Sequence, residues 1–217
     1  MKRIIIFLLA SVFVFTACED EYLIDGGTAD QNVNMTTFDF LKTNEIFDTL
    51  TMLIEQAGLV SAVNEAGTFI VPTDFSIKRY LDNVVADLRV FDPEAQFNLS
   101  DIPADTLEML KSYLIPQRVT RDDMEMEGRI YTTVYGDERK LSLEPRAVYT
   151  GYLTEFPSFV FFYKKRGETW NYYGQTGIPV DERDHIVQVR TSDIITTTGV
   201  VHVLQGNHTL FFYERQY

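Results

Sequence analysis

Histidine and cysteine, the side chains most often used in metal binding and nucleophilic catalysis, are scarce in this chain. Its 217 residues include one cysteine, Cys18, and three histidines, His185, His202 and His208. The histidines lack the tight spacing of a zinc site, so we expect no metal and no cofactor. We interpret His202, which lies on a predicted strand, as a hydrogen-bonded interior residue, because buried polar groups in proteins are nearly always paired.

Carboxylates are plentiful, but their arrangement does not indicate catalysis. Asp122, Asp123, Glu125 and Glu127 form an acidic cluster without the glycine turn and terminal glutamate of an EF-hand loop, and we interpret it as a solvated face. The sequence also has no G-x-S-x-G, H-E-x-x-H, phosphate-binding or dinucleotide-binding motif. A carboxylate pair for glycoside hydrolysis stays open, because any two could converge in space. The prediction is a protein that is not an enzyme.

The chemistry predicted for Cys18 is lipid attachment. Lys2 and Arg3 precede an apolar run that is shorter than the roughly 20 residues of a membrane-spanning helix. Phe15-Thr16-Ala17-Cys18 resembles the cleavage site of bacterial lipoproteins, with Phe15 where leucine is usual. We predict that residues 1–17 are a signal peptide and that Cys18 is anchored by several acyl chains. An ordinary signal peptide cut nearby, or an inert cysteine, is the alternative.

Charge excludes one class of partner. The net charge is −13, so we expect no nucleic acid partner and a membrane held only through lipid on Cys18. Residues 18–35, acidic and then rich in glycine and asparagine, predict a flexible tether. Glu19-Asp20-Glu21 is similar to the export signal of surface lipoproteins in Gram-negative bacteria, although a merely solvated linker is the alternative. We expect an exported outer-membrane lipoprotein exposed at the cell surface.

The elements that would position a binding site change from helices to strands along the chain. Apolar residues recur on one helical face in two segments: Ile46, Leu50, Leu53 and Ala57, ended by Gly58, and Leu107, Leu110 and Leu114, ended by Pro116. Later segments alternate or are aromatic, as in strands: 129–135, 140–144, 158–165, 185–190, 199–204 and 208–213. Helices first and strands later predict an α+β fold with a mainly antiparallel sheet.

Two segments resemble the paired signature motifs of the fasciclin (FAS1) domain family. TFIVPTDFSI (68–77) is similar to its T-V-F-A-P-T-N-x-A-F stretch, and GVVHVLQG (199–206) to its N-G-x-I-H-x-I-D stretch. Residues 47–63 resemble the opening helix of the family, and residues 107–120 the middle of the domain. The motif positions are Thr68, Pro72, Thr73, Asp74, Tyr113, Gly199 and His202. The resemblance implies one FAS1-like domain over 36–217, with helices packed on a sheet or wedge.

Two departures from the family pattern qualify what the resemblance implies. Leu114 stands where the family has a histidine after Tyr113, and that pair is implicated in the adhesive role of some members, so integrin-type activity is not expected here. The chain is also longer than a usual member, with insertions near 82–100 and 145–185.

The second insertion is rich in aromatic residues and predicts an extra β-hairpin. One interpretation is that its aromatics cover the sheet. The other is an exposed binding platform for sugar rings or a protein partner, since tryptophan and tyrosine offer flat apolar faces with polar tips. The candidate platform residues are Tyr163, Trp170, Tyr172 and Tyr173.

The function that these features and the resemblance favour is a non-catalytic adhesion or binding module. Its expected partner is a glycan, matrix or protein at the cell surface. The alternative is an accessory lipoprotein subunit of an outer-membrane complex for nutrient (glycan) uptake. Neighbouring genes for a transporter and carbohydrate-degrading enzymes would favour the alternative.

Overall fold

Helices come first along the chain, as the apolar periodicity predicts. The computed structural model describes residues 31–147, 156–171 and 177–217. In these ranges the α-helices are α1 (Thr37–Lys42), α2 (Asp48–Gln56), α3 (Val60–Glu65), α4 (Asp74–Leu88) and α5 (Ala104–Glu108). Short 3-10 turns occupy Glu45–Phe47, Leu99–Asp101, Met109–Tyr113, Arg121–Asp123, Val180–Glu182 and Leu210–Phe212. The predicted face of α2 is confirmed, because Leu50 and Leu53 are fully buried and Gly58, at φ 68°, follows the end of the helix.

The described strands form one seven-stranded sheet. They are β1 (Thr68–Val71), β2 (Leu114–Ile115), β3 (Arg129–Thr132), β4 (Glu138–Pro145), β5 (Ser158–Lys164), β6 (His185–Ile195) and β7 (Val200–Leu204). Their order is β2-β1-β7-β6-β5-β4-β3, and every neighbouring pair is antiparallel except β1 with β7. The α+β class with a mainly antiparallel sheet is therefore confirmed.

The two outer strands of the sheet approach each other. The backbone N–H of Val134, two residues after β3, donates to the carbonyl oxygen of Leu114 in β2 at 2.8 Å. The sheet is consequently almost closed into a barrel, and its β4–β6 strands curve around an interior of aromatic and aliphatic side chains. This curvature brings the end of β5 near the C-terminal residues.

Three sequence predictions about element boundaries are wrong. Leu114 is not on a helix, because α5 tightens into a 3-10 turn at Met109 and Leu114 starts β2. Residues 208–213 are not a strand but contain the 3-10 turn Leu210–Phe212. The tether was expected to reach residue 35, whereas Asn32 already pairs with Ile195 and the Val33 N–H donates to the Ile195 carbonyl at 2.8 Å.

The aromatic strand of the second insertion lies inside the sheet. β5 pairs with β4 on one side and with β6 on the other, and Val160, Phe161, Phe162 and Tyr163 are all buried in it. Trp170 follows β5 but lies outside any strand. The prediction of a separate aromatic hairpin is corrected in this respect, because β5 is an interior strand whose aromatic side chains belong to the packed body.

Candidate functional site

The signature residues Thr68 and His202 hold the same stretch of backbone. The Thr68 hydroxyl accepts from the N–H of Val119 at 2.8 Å and donates to the carbonyl of Gln117 at 2.8 Å. His202 Nε2 lies 2.9 Å from the carbonyl oxygen of Val119. Because Thr68 and His202 come from β1 and β7, which pair directly, they fix residues 117–119 against the sheet. Their role is structural, as predicted for His202.

The protonation of His202 follows from its partners. The N–H of Asp193 donates to Nδ1 at 3.3 Å, so Nδ1 is an acceptor and the proton must be on Nε2, which donates to Val119. The ring is fully buried, and burial is the main reason that the pKa of His202 lies below its ordinary value. His202 is therefore a neutral, saturated interior residue.

Gly199 allows two segments of backbone to approach closely. A Cβ atom at this position would lie 2.8 Å from the carbonyl oxygen of Ala66 and 2.9 Å from that of Gly67. The Val200 N–H donates to the carbonyl of Gly67 at 2.9 Å, which extends the β1–β7 pairing by one residue. Any side chain at 199 would push these strands apart.

Asp74 caps a helix other than its own. Its two carboxylate oxygens accept from the N–H of Thr49 at 2.9 Å and from the N–H of Leu50 at 3.0 Å. These groups belong to the first turn of α2, whereas Asp74 itself is the first residue of α4. The α4 N-cap Thr73 makes no side-chain capping bond. Asp74, which follows Pro72 and Thr73 after β1, thus links the N-terminal ends of α2 and α4.

Tyr113 occupies the centre of a second buried network. Its hydroxyl lies 2.8 Å from Nε2 of His208 and accepts from the N–H of Phe211 at 2.7 Å. Since Phe211 supplies one proton, the tyrosine proton is available to Nε2, which places the histidine proton on Nδ1. Burial lowers the pKa of His208 to about 3 and raises that of Tyr113, so both groups are neutral.

The backbone beside this network is strained. Phe211 and Phe212 have φ of 61° and 56°, a left-handed conformation that bulky residues rarely adopt. Surrounding contacts enforce it: Tyr80 meets Phe211 edge-on with ring centroids 5.5 Å apart, and His208 meets Phe212 at 4.6 Å. Strain of this kind persists where packing over-determines it, and it clusters at binding and active sites.

Two cavities lie along this strained turn. One has a volume of about 250 Å³ and the other of about 430 Å³, and both are lined by His185, Phe212, Tyr213 and Glu214. The smaller one also reaches Asn207, His208 and Thr209. The larger one reaches Tyr80, Thr106, Met109, Lys164, Phe211 and Gln216. We name the two together the C-terminal groove.

The chain after the turn is anchored to α4 and to the end of β5. Asp87 accepts from the hydroxyl of Tyr213 at 2.8 Å and from the N–H of Gln216 at 2.9 Å. Glu214 pairs with Arg166 at 3.1 Å. These bonds hold the residues that line the groove, so its shape is set before any ligand arrives.

Positive charge gathers around the groove in an otherwise acidic chain. Lys164, at the end of β5, has its Nζ 5.7 Å from the centre of the Phe212 ring, and Arg139 lies at 6.0 Å from the same ring. Arg139 is buried and pairs with Asp137 at 2.6 Å. Burial is the main reason that the pKa of Lys164, like that of His185, is lowered. The groove is therefore aromatic, with a cation on its wall.

The described residues of the predicted aromatic platform lie in different surroundings. Trp170 is half-buried and lines a different cavity of about 260 Å³, between Lys165 at 5.7 Å and Lys140 at 5.8 Å from its ring centre. Tyr163 is fully buried, with its hydroxyl donating to Glu144, so it presents no face to a ligand and the prediction for it is wrong. Tyr172 and Tyr173 lie outside the described residues.

Neither metals nor membrane spans are indicated by the part of the chain that the structure describes. In that part no group of three histidine, cysteine or carboxylate side chains is placed to hold a metal ion. No helix there is long and apolar enough to cross a bilayer. Within the acidic cluster, the Asp123 carboxylate accepts from the N–H of Thr120 at 2.8 Å, so it closes a local turn.

The residues that line the C-terminal groove were missed at the level of sequence. Phe211, Phe212 and Tyr213 fall in the predicted strand 208–213 because the segment is apolar and aromatic, and Lys164 falls in the predicted strand 158–165. The one available signal was Asn207 after Gly206, a turn-forming pair that interrupts the strand pattern. The left-handed backbone of two phenylalanines has no sequence signature.

Comparison with known proteins agrees with the fold and the signature residues. A sequence model of the fasciclin domain matches residues 45–206, so the chain belongs to the fasciclin domain family. The family is known for cell adhesion modules, which are generally not catalytic. This confirms the resemblance drawn from the two signature motifs.

One solved structure illustrates the similarity. It is a FAS1 domain pair from the insect cell adhesion molecule fasciclin I, with a TM-score of 0.48 and 16% identity. The match covers 81% of this chain and 50% of that one, so this chain spans about half the length of the solved structure. No curated protein is similar enough to match.

Proposed function

We propose that this protein is a non-catalytic adhesion module that binds a glycan, matrix or protein partner in the C-terminal groove. The observation that supports this most directly is the strained Phe211–Phe212 turn, which lines the groove and rests on the buried Tyr113–His208 pair. A left-handed backbone at two bulky residues is unfavourable, and the surrounding contacts that enforce it indicate a function for the turn. A pre-formed concave surface of aromatic and few polar groups is typical of a binding site.

We also propose that the module is displayed at the cell surface by lipid on Cys18. The support is in the sequence: a positive start, a short apolar run, and a lone cysteine followed by Glu19-Asp20-Glu21. A chain with a net charge of −13 would be repelled by an anionic membrane, so a covalent anchor supplies what electrostatics does not.

Filling the groove tests the binding proposal. Thr106 is half-buried and lines the larger cavity, so Thr106→Trp would obstruct it. Beads coated with the protein are expected to adhere to the target cells or matrix, and the variant to lose at least tenfold in bound beads. Met126→Trp is the matched control, because Met126 is 54% exposed and lines neither cavity. Equal adhesion by Thr106→Trp and wild type would rule out the larger cavity of the groove as the binding site.

Metabolic labelling tests the anchor. Cells that express the full chain and are fed a labelled palmitate are expected to incorporate label into this protein, and Cys18→Ser to abolish the incorporation. Protease added to intact cells should then degrade the wild-type protein. Label that persists in Cys18→Ser would overturn the anchor, and full protection from protease would overturn the surface location.

A further inference from the structure

The larger cavity of the C-terminal groove contains a cation that has no carboxylate partner. Lys164 Nζ makes one hydrogen bond in the described structure, a long one of 3.4 Å to the carbonyl oxygen of Phe211. No described carboxylate lies within 4.0 Å of it, since it takes part in none of the ion pairs. A half-buried ammonium group normally pairs with an acid, because leaving it partly desolvated and unpaired is unfavourable.

The charges around Lys164 are already engaged with one another. Arg139 pairs with Asp137 at 2.6 Å. Glu214 pairs with Arg166 at 3.1 Å, and His185 lies 3.8 Å from it. The remaining positive charge on this wall of the cavity is that of Lys164, whose Nζ lies 3.4 Å from the carbonyl oxygen of Phe211. An anionic group of a ligand would complete the pairing.

The other walls of the cavity fit a small ring with hydroxyl groups. Tyr213 is half-buried, and the buried Tyr80 supports its ring edge-on at 5.4 Å and meets the buried Phe211 at 5.5 Å. Thr106 and Gln216 also line the cavity, and their hydroxyl and amide groups can exchange hydrogen bonds with a polar ligand. The volume of about 430 Å³ is in the range of small-ligand sites, roughly 300–1,000 Å³.

We propose that the larger cavity binds an acidic sugar, with its carboxylate on Lys164 and an apolar ring face against the half-buried ring of Tyr213. This inference rests on the proposed function and names the ligand class for the same groove. One carboxylate matches one unpaired cation. A phosphate dianion fits less well, because Glu214 lines the same cavity and would repel a second negative charge, and because phosphate sites generally use several donors or arginines.

The test compares glucuronic acid with glucose, which has a hydroxymethyl group in place of the carboxylate. The full chain, purified in detergent, is titrated with each sugar and followed by saturation-transfer NMR and calorimetry. Glucuronic acid is expected to bind at least tenfold more tightly than glucose, and its affinity alone is expected to fall as sodium chloride is raised. Equal affinity for the two sugars, or preference for inorganic phosphate, would overturn the proposal.

Substitution of Lys164 supplies the second test. Lys164→Gln is expected to reduce glucuronic acid binding to the level of glucose, whereas Lys164→Arg retains most of it. Lys165→Gln is the matched control, because Lys165 is the next residue, is exposed and approaches Trp170. Melting curves verify that each variant is folded; if Lys164→Gln does not fold, the charge-retaining variant and the salt dependence of the wild type still decide the question.

The two proposals fail in different ways. If Thr106→Trp abolishes adhesion but no acidic sugar binds, the groove is a binding site for another partner and the acidic-sugar inference is wrong. If Thr106→Trp leaves adhesion intact and glucuronic acid still binds through Lys164, the sugar site exists but does not mediate adhesion. That second result overturns the proposed function and supports the inference.

Discussion

The hydroxyl group of Tyr113 lies 2.8 Å from Nε2 of His208, although the two residues are far apart in the chain. The family places a histidine directly after this tyrosine, and here that position is Leu114, a fully packed residue of β2. A histidine near the C-terminus thus contacts the tyrosine from the other end of the domain. The pair connects the core to the strained turn at Phe211, so changes in it should be visible both in stability and in the groove.

Removing the Tyr113 hydroxyl is expected to destabilise the domain. Tyr113→Phe leaves the buried N–H of Phe211 and one nitrogen of His208 without a partner, which should lower the free energy of unfolding by about 1–3 kcal/mol. Urea denaturation followed by circular dichroism measures the change. Tyr135→Phe is the control, since Tyr135 is 47% exposed and should change stability by less than about 0.5 kcal/mol. An unchanged urea midpoint for Tyr113→Phe would contradict the assigned hydrogen bonds.

Stability is expected to fall as the pH is lowered below the ordinary histidine pKa. Burial lowers the pKa of His208 to about 3, so between about pH 6.5 and 3 the unfolded chain binds a proton there that the folded chain excludes. The contribution of neutral His208 to the free energy of unfolding therefore has its full value above pH 6.5 and declines as the pH is lowered. His208 contributes up to about 1.4 kcal/mol per pH unit, and the neutral His202 acts in the same direction.

The comparison of wild type with His208→Gln between pH 7 and 5 isolates this contribution, because most carboxylates stay ionised there. The variant should have a shallower dependence of unfolding free energy on pH, while the two proteins run parallel above pH 7.5. Identical slopes over both intervals would mean that His208 is protonated in the folded state.

Asp74, the first residue of α4, is expected to stabilise α2 by capping the N-terminus of that helix. Asp74→Ala removes acceptors from the N–H groups of Thr49 and Leu50 and should lower the free energy of unfolding by about 0.5–2 kcal/mol, the usual range for a lost helix cap. Asp82→Ala on the same helix removes only an exposed ion pair with Lys78, which is generally worth little. Chemical denaturation of both variants makes the comparison, and equal effects would contradict the capping role.

Gly199 is expected to tolerate no side chain. Gly199→Ala would place a methyl group 2.8 Å from the carbonyl oxygen of Ala66 and should destabilise the domain by about 1–3 kcal/mol. Gly206→Ala, in the same motif, meets the Phe75 ring and Cβ only at ordinary contact distances of 3.7–3.8 Å and serves as the control. Thermal unfolding of the two variants decides the point; similar melting temperatures would refute the close approach.

Substitution of the single tryptophan distinguishes between the two candidate binding surfaces, the C-terminal groove and the aromatic platform. Trp170 lines its own cavity and neither cavity of the C-terminal groove, so Trp170→Ala should leave glucuronic acid binding within about twofold of wild type. Titration calorimetry on the variant measures this. A tenfold loss of glucuronic acid affinity with an unchanged melting temperature would instead indicate that the sugar binds at the aromatic platform predicted from the sequence.

The fold was largely predictable because its elements have local patterns. The apolar face of α2 and the end of that helix at Gly58 follow from spacing and turn chemistry, and the structure confirms them. The two signature motifs indicated the family, and the structure places them on β1 and β7, which pair directly. None of this required knowledge of distant contacts.

The candidate site was not predictable for the opposite reason. The partners of Tyr113, Asp74 and Lys164 lie in other elements, and only the folded chain brings them together. Aromatic residues also have the same pattern in a buried strand as on an exposed platform, which is why Tyr163 was misassigned. Phe211 and Phe212 adopt a backbone conformation that their residue type disfavours, and the packing around them overrides that local preference.

The parallel pairing of β1 with β7 also determines when the domain can fold. β1 lies in the first half of the domain, and its partner β7 is the last of the described strands along the chain, so the sheet cannot be completed until both have been made. Long-range pairing of this kind slows folding, because a large loop must close before its contacts stabilise the structure. The pairing of β1 with β7 is therefore a late event in the folding of this domain, after the intervening segments have been brought together.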